Sequence, residues 1–84
     1  MIVRMWEAKA TPEGFTELIG WVCDFGVPAV EYNPLHVSSE VFSSTDNRLV
    51  VISKWRSNPV ELPMPPRHLL ARPPHTWDFS PVDR

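Results

Sequence analysis

Three histidines (His36, His68, His75), one cysteine (Cys23) and four tryptophans (Trp6, Trp21, Trp55, Trp77) are the side chains with the widest chemistry in this sequence. A structural metal site needs His and Cys ligands at tight spacing, and no two of these residues stand that way. The sequence therefore predicts no metal and no bound cofactor. His68 lies between Arg67 and Arg72, two guanidinium groups able to hold an anion. The serines fall inside strand-like patterns, away from the strained turn that a nucleophilic triad requires. The stretch "PMPPRHLLARPP" contains a PxxP spacing, but Arg67 follows it one position too early for the basic residue of a proline-reading groove's ligand.

A chain of 84 residues is one domain, spanning 1–84. Its hydrophobic content of 43%, with four Trp and four Phe, excludes a disordered chain. So small a domain buries roughly 60–65% of its unfolded surface, which predicts self-association into a homodimer. The net charge is −2 and the eight Lys and Arg are scattered, so no stripe exists to neutralise phosphates and no nucleic acid is expected. A single cysteine excludes an internal disulfide and fits a reducing compartment. "MIVRMWEAKA" carries Arg4 where a signal peptide needs an apolar core, and no run reaches the ~20 residues of a membrane span. The expected location is cytoplasmic, with no membrane contact.

The elements that must position these side chains follow from periodicity. Residues 2–10 alternate as a strand, with Ile2, Arg4, Trp6 and Ala8 on one face and Val3, Met5, Glu7 and Lys9 on the other. "ATPEGFTELIGWVCDFGVP" predicts a helix with Thr11 as N-cap and Pro12 at the first helical position. Phe15, Leu18, Ile19, Val22 and Cys23 form its sheet-facing stripe; Gly26 ends it and Pro28 prevents its return. Residues 36–44 and 48–55 read as strands joined by "TDN" turn chemistry, with Leu49, Val51, Ser53 and Trp55 on one face. Residues 75–82 alternate again, with His75, Trp77 and Phe79 on one side, and Pro81 places that strand at a sheet edge.

The resulting order, with "EVFSSTDNRLVVISKW" as its central hairpin, resembles the antibiotic-biosynthesis-monooxygenase-like family of the dimeric α+β barrel superfamily. The resemblance covers residues 1–56. It implies an α+β, ferredoxin-like β-α-β-β-(lid)-β antiparallel sheet, with two chains closing one barrel sheet to sheet. Where the family has a second helix, this chain has "NPVELPMPPRHLLARPP". The expectation is a rigid lid, its proline-fixed backbone lowering the entropy lost on ordering. Leu62, Met64, Leu69 and Leu70 would then cover Trp21 and Phe25.

The resemblance also implies where a site would lie. Haem-degrading members use an Asn on strand one, a Trp on strand three and a His on the second helix. Trp55 is similar to that Trp, but the strand-one position falls on Met5 or Trp6 and the helix is missing. Members that oxidise aromatics without a cofactor orient the substrate with Trp, Asn, Tyr or Arg; here the partner position on strand three is Val51. The candidate ligand-binding residues are Trp55 as a wall, Arg67 and His68 at the mouth, and Trp6. The expected function is a small dimeric protein binding a small molecule or a partner protein without strong catalytic machinery. The alternative is a cofactor-independent monooxygenase-like enzyme acting on an aromatic or quinone-like metabolite.

Overall fold

The protein is described here by a computed structural model covering Met1 to Arg84. Strand β1 (Ile2–Ala10) leads through a turn to helix α1 (Phe15–Trp21), a π-helical turn (Val22–Gly26) and helix α2 (Pro28–Glu31). Strands β2 (His36–Ser43) and β3 (Arg48–Trp55) form a hairpin. An irregular proline-rich segment and a single 3₁₀ turn (Arg67–Leu69) then lead into β4 (Leu70–Phe79). The four strands make one antiparallel sheet in the order β2-β3-β1-β4. This is the expected α+β, ferredoxin-like arrangement with its second helix replaced.

Register assigns every side chain to a face. Trp6 stands opposite Val51, Ala8 opposite Leu49 and Arg4 opposite Ser53, so the even positions of β1 and the odd positions of β3 look toward the helices. Trp6, Ala8, Ala10, Leu49 and Val51 pack there with Leu18, Val22, Val27 and Leu69 to form the core. The two alanines let the helical layer approach the sheet closely. At the hairpin, Asn47 adopts φ 64°, the left-handed region that Asn tolerates, and its carbonyl accepts the Ala10 amide at 2.8 Å.

The helical run departs from expectation at both ends. It begins at Phe15 behind Gly14, not at Pro12 behind Thr11. Thr11 Oγ1 instead accepts the Gly14 amide at 3.0 Å, closing a turn ahead of the helix. Gly14 has no room for a side chain, because an added Cβ would meet Thr11 Oγ1 at 2.7 Å and the Leu69 backbone at 3.1 Å. Nor does Gly26 end the run: Pro28 occupies the first turn of α2, where its missing N–H costs nothing. The wide turn before it, with the Val27 amide donating to the Val22 carbonyl, makes room for the proline ring. Cys23 falls outside the expected sheet-facing stripe, and it is exposed.

The fourth strand starts five residues earlier than the alternation suggests and stops before Pro81. It is an edge strand, as expected, and this position tolerates Pro73 and Pro74. Pairing with β1 slips between Glu7 and Lys9 and again between Lys9 and Ala10, a bulged stretch that accommodates the prolines. The lid is only partly a cover. Leu69 is buried and its carbonyl accepts the Thr11 amide at 3.0 Å, and Leu62 reaches the Gly26–Trp21 seam. Met64 is 65% exposed and Phe25 55% exposed, so neither covers the other. Phe25 leans on Trp21 instead, with ring centroids 5.4 Å apart.

Leu69→Ala should therefore destabilise the protein by about 2–4 kcal/mol in urea unfolding, the range for truncating a core leucine. Half-buried Leu70 should cost clearly less on the same change. A Leu69→Ala effect within ~0.5 kcal/mol of zero would remove the lid from the core.

Candidate functional site

The site is best built from β1 outward. Arg4 stands on the helix-facing side opposite Asp78 of β4. Its Nε and Nη2 donate to the two carboxylate oxygens of Asp78 at 2.7 and 2.9 Å, a bidentate pair. Hydrogen bonding by Arg4 holds the Asp78 carboxyl below the usual carboxylate range and raises the Arg4 guanidinium in turn. Beside this pair a cleft of about 180 Å³ opens between sheet and lid. Arg4, Trp6, Pro74 and Thr76 form its sheet side, and Glu61 to Pro65 form its outer wall. The prolines fix that wall without helical hydrogen bonds.

The expected site residues separate. Trp6 lines the cleft, whereas Trp55 does not. Trp55 is 1% exposed, with His36 edge-on at 5.2 Å and its Nε1–H donated to Ser53 Oγ at 2.8 Å. It pairs with Ile2, at the start of β1, while Leu70 pairs with Ala10 at the other end. Those ends are roughly 26 Å apart at ~3.3 Å per residue. Arg67 and His68, beside Leu70, are thus remote from Trp55 and cannot form the mouth of a pocket walled by it. His68 is exposed, with Glu17 at 3.9 Å. Arg67 and Arg72 do share a cleft, of about 570 Å³, with Met64, Leu70 and Pro73.

On the opposite, open face lies what sequence reading missed. Glu7 is 7% exposed on a face it shares with apolar Val3, Met5, Val50 and Ile52 and with Lys9, Arg48 and Lys54. Arg72 Nη2 reaches both of its oxygens, at 2.8 and 2.9 Å. The sequence signal was available, since Glu7 breaks an apolar alternation, but its partner lies 65 residues away. No three His, Cys, Asp or Glu side chains converge as metal ligands, and no helix is long and apolar enough to cross a membrane.

Depressed carboxyl pKa values make stability pH-dependent. Asp78, and Asp46 bonded by Arg48 and Ser44, both titrate lower in the fold than unfolded. Their contribution is complete above the unfolded value near pH 4 and is lost as pH falls through the folded pKa. Stability should fall below about pH 4, and Asp78→Asn should flatten that fall while costing under about 1 kcal/mol at pH 7, because the pair is solvent-screened. A pH profile identical to wild type would separate the pair from acid stability.

No protein-family profile matches the chain, and no curated protein sequence does. Solved structures do. Rv0793 from Mycobacterium tuberculosis superposes with a TM-score of 0.73 at 16% identity, over 99% of this chain and 96% of that one. The ActVA-Orf6 monooxygenase of Streptomyces coelicolor, solved with nanaomycin D, gives 0.72 at 17% identity over 99% and 88%. A structure described as an antibiotic biosynthesis monooxygenase gives 0.71 at 12% identity over 99% and 100%. The likeness extends past the proline-rich segment to the end of β4, and the chain has the fold of the antibiotic-biosynthesis-monooxygenase-type proteins.

Proposed function

We propose that this protein binds a small flat molecule as a two-chain barrel, without strong catalytic machinery. The observation that carries the reading is the cleft beside the Arg4–Asp78 pair. Its volume is near the ~150 Å³ that admits one benzene-sized ring and below the range usual for drug-sized ligands. Trp6 supplies an aromatic wall, and Arg4 retains Nη1 beyond the two donors bound to Asp78. An aromatic acid or quinone suits that combination, its ring against Trp6 and an oxygen near the cation. The lining holds no histidine and no activated nucleophile, which favours binding over chemistry.

The dimer rests on the open face. Val3, Met5, Val50 and Ile52, flanked by exposed Phe42, Trp77 and Phe79, share that face with no helix over it. A contiguous apolar surface of this kind is rare on a monomer. A second copy laid sheet to sheet would cover it. Ile52 points that way, whereas Val51 is core beneath the helices, so only Ile52 can report on association.

A second reading, a cofactor-independent monooxygenase-like enzyme acting on an aromatic or quinone-like metabolite, draws on the likeness to the Streptomyces monooxygenase. Glu61 is the carboxylate on the cleft lining that could serve it as a base. A partner protein as ligand has no comparable support.

Sedimentation at low micromolar concentration should give the dimer mass in wild type and the monomer mass in Ile52→Asp, with far-UV circular dichroism retained. A folded wild-type monomer would end the barrel reading. Flat aromatic acids and quinones should quench tryptophan fluorescence, and Trp6→Phe should remove most of the response while Trp55→Phe keeps it. The reverse pattern would move the site to the buried Trp55. Oxygen uptake on adding a bound quinol would favour the enzymatic reading.

A further inference from the structure

At one end of the open face the register sets three cations in a row across three strands. Arg48 of β3 and Arg72 of β4 both pair with Lys9 of β1. Like charges directly opposite one another in a sheet repel and weaken it. Two carboxylates offset the row in part. Asp46 accepts from Arg48 Nε at 2.9 Å and lies 2.7 Å from its Nη2, and Glu7 holds Arg72. One positive charge is left over.

The donors left over are more telling. The Lys9 ammonium is 3.8 Å from Asp46, beyond hydrogen-bond reach. Arg48 Nη1 is likewise 3.8 Å from Glu7. Arg72 Nη1 has no acceptor but is sealed from solvent, so Arg72 lends the cleft its charge and not that donor. Lys9, Arg48 and Arg72 line one open cleft of about 460 Å³ with Asp46 and Ala71. The β4 bulge at this point carries Arg72 onto Lys9's face, and bulges commonly re-aim a side chain beside a site.

We infer that the Lys9–Arg48–Arg72 cleft is a binding site for a phosphate-type oxyanion, free or as the monoester of a small molecule. Lys9 Nζ and Arg48 Nη1 offer free donors from neighbouring strands, and Arg72 adds a third positive charge on the same cleft, a combination suited to a compact multivalent oxyanion. Its charge would relieve the cation row, and the retained Glu7 and Asp46 limit the site to one small anion. It lies on the face opposite the cleft beside Arg4, so it does not depend on the aromatic ligand, but it requires that the Lys9 end of the open face stay outside the proposed sheet-to-sheet contact.

The test is amide chemical-shift titration of the ¹⁵N-labelled protein with inorganic phosphate at constant ionic strength, with phenyl phosphate and sodium chloride as separate arms. Saturable shifts at Lys9, Ala71 and Arg72 are expected with phosphate and absent with chloride. Comparable saturation by phenyl phosphate would assign the site to monoesters, and exclusion of it to the free ion. Lys9→Gln should weaken binding at least about tenfold. It leaves the Glu7–Arg72 pair intact, so the fold is not at stake, and Arg48→Gln should act in the same direction. Lys54→Gln, at the other end of the same face, should leave binding unchanged. Non-saturating shifts, equal shifts in chloride, or wild-type affinity in Lys9→Gln would overturn the site.

Discussion

The rest of this fold depends on the hydrogen bonding of β1 on both sides. A strand paired with β3 and β4 at once passes its own alternation to both neighbours. Ile2, Arg4, Trp6, Ala8 and Ala10 turn toward the helices; Val3, Met5, Glu7 and Lys9 turn away. A slip of one residue against β3 would exchange Leu49, Val51 and Trp55 for Arg48, Val50 and Lys54 beneath α1. Burying an unpaired lysine and arginine there is prohibitive, so the register is specified by energy and not by the hairpin turn alone.

This explains which parts of the fold were legible in the sequence. The faces of β1 and β3 could be read because a period of two survives any error of a residue at a strand end. The "TDN" turn could be read because Asn47 supplies the left-handed backbone. Helix ends were not legible, because Thr11, Pro12, Gly26 and Pro28 each have two uses. Thr11 closes a turn instead of capping, and Pro28 begins a helical turn instead of barring one. The start of β4 was hidden for a related reason. Proline pairs read as a break in any interior strand, but an edge strand can carry them.

The candidate site was less legible than the fold. Trp6 and Trp55 are chemically alike, and only the lid's path decides which of them borders a cleft. Arg4 and Asp78 are 74 residues apart, and nothing local marks them as partners. Once β4 is laid antiparallel against β1 their pairing becomes obligatory, since opposite charges face each other across two strands. Arg67 and His68 drew attention by composition, yet the sheet's length puts them at the far end from Trp55. Composition proposes residues; register decides which of them meet.

The two faces of the sheet also divide the work of the prolines. On the helix side, Pro63, Pro65 and Pro74 stiffen the wall of the cleft beside Arg4. Along the outer edge, Pro73 and Pro74 remove amides from a strand that would otherwise offer a continuous template for another chain. The β4 edge near the bulge is thereby blunted against strand pairing with another chain. The open face carries its own selectivity. The Glu7–Arg72 ion pair lies where the apolar rows meet Lys9 and Arg48, and an incoming surface must keep the pair intact or lose the energy of a buried unpaired charge. A copy of the same chain brings the same pair and the same apolar rows, whereas an arbitrary hydrophobic surface brings no polar group to meet them. In the proposed dimer, apolar area would supply the drive to associate, and the single buried carboxylate would narrow what can associate.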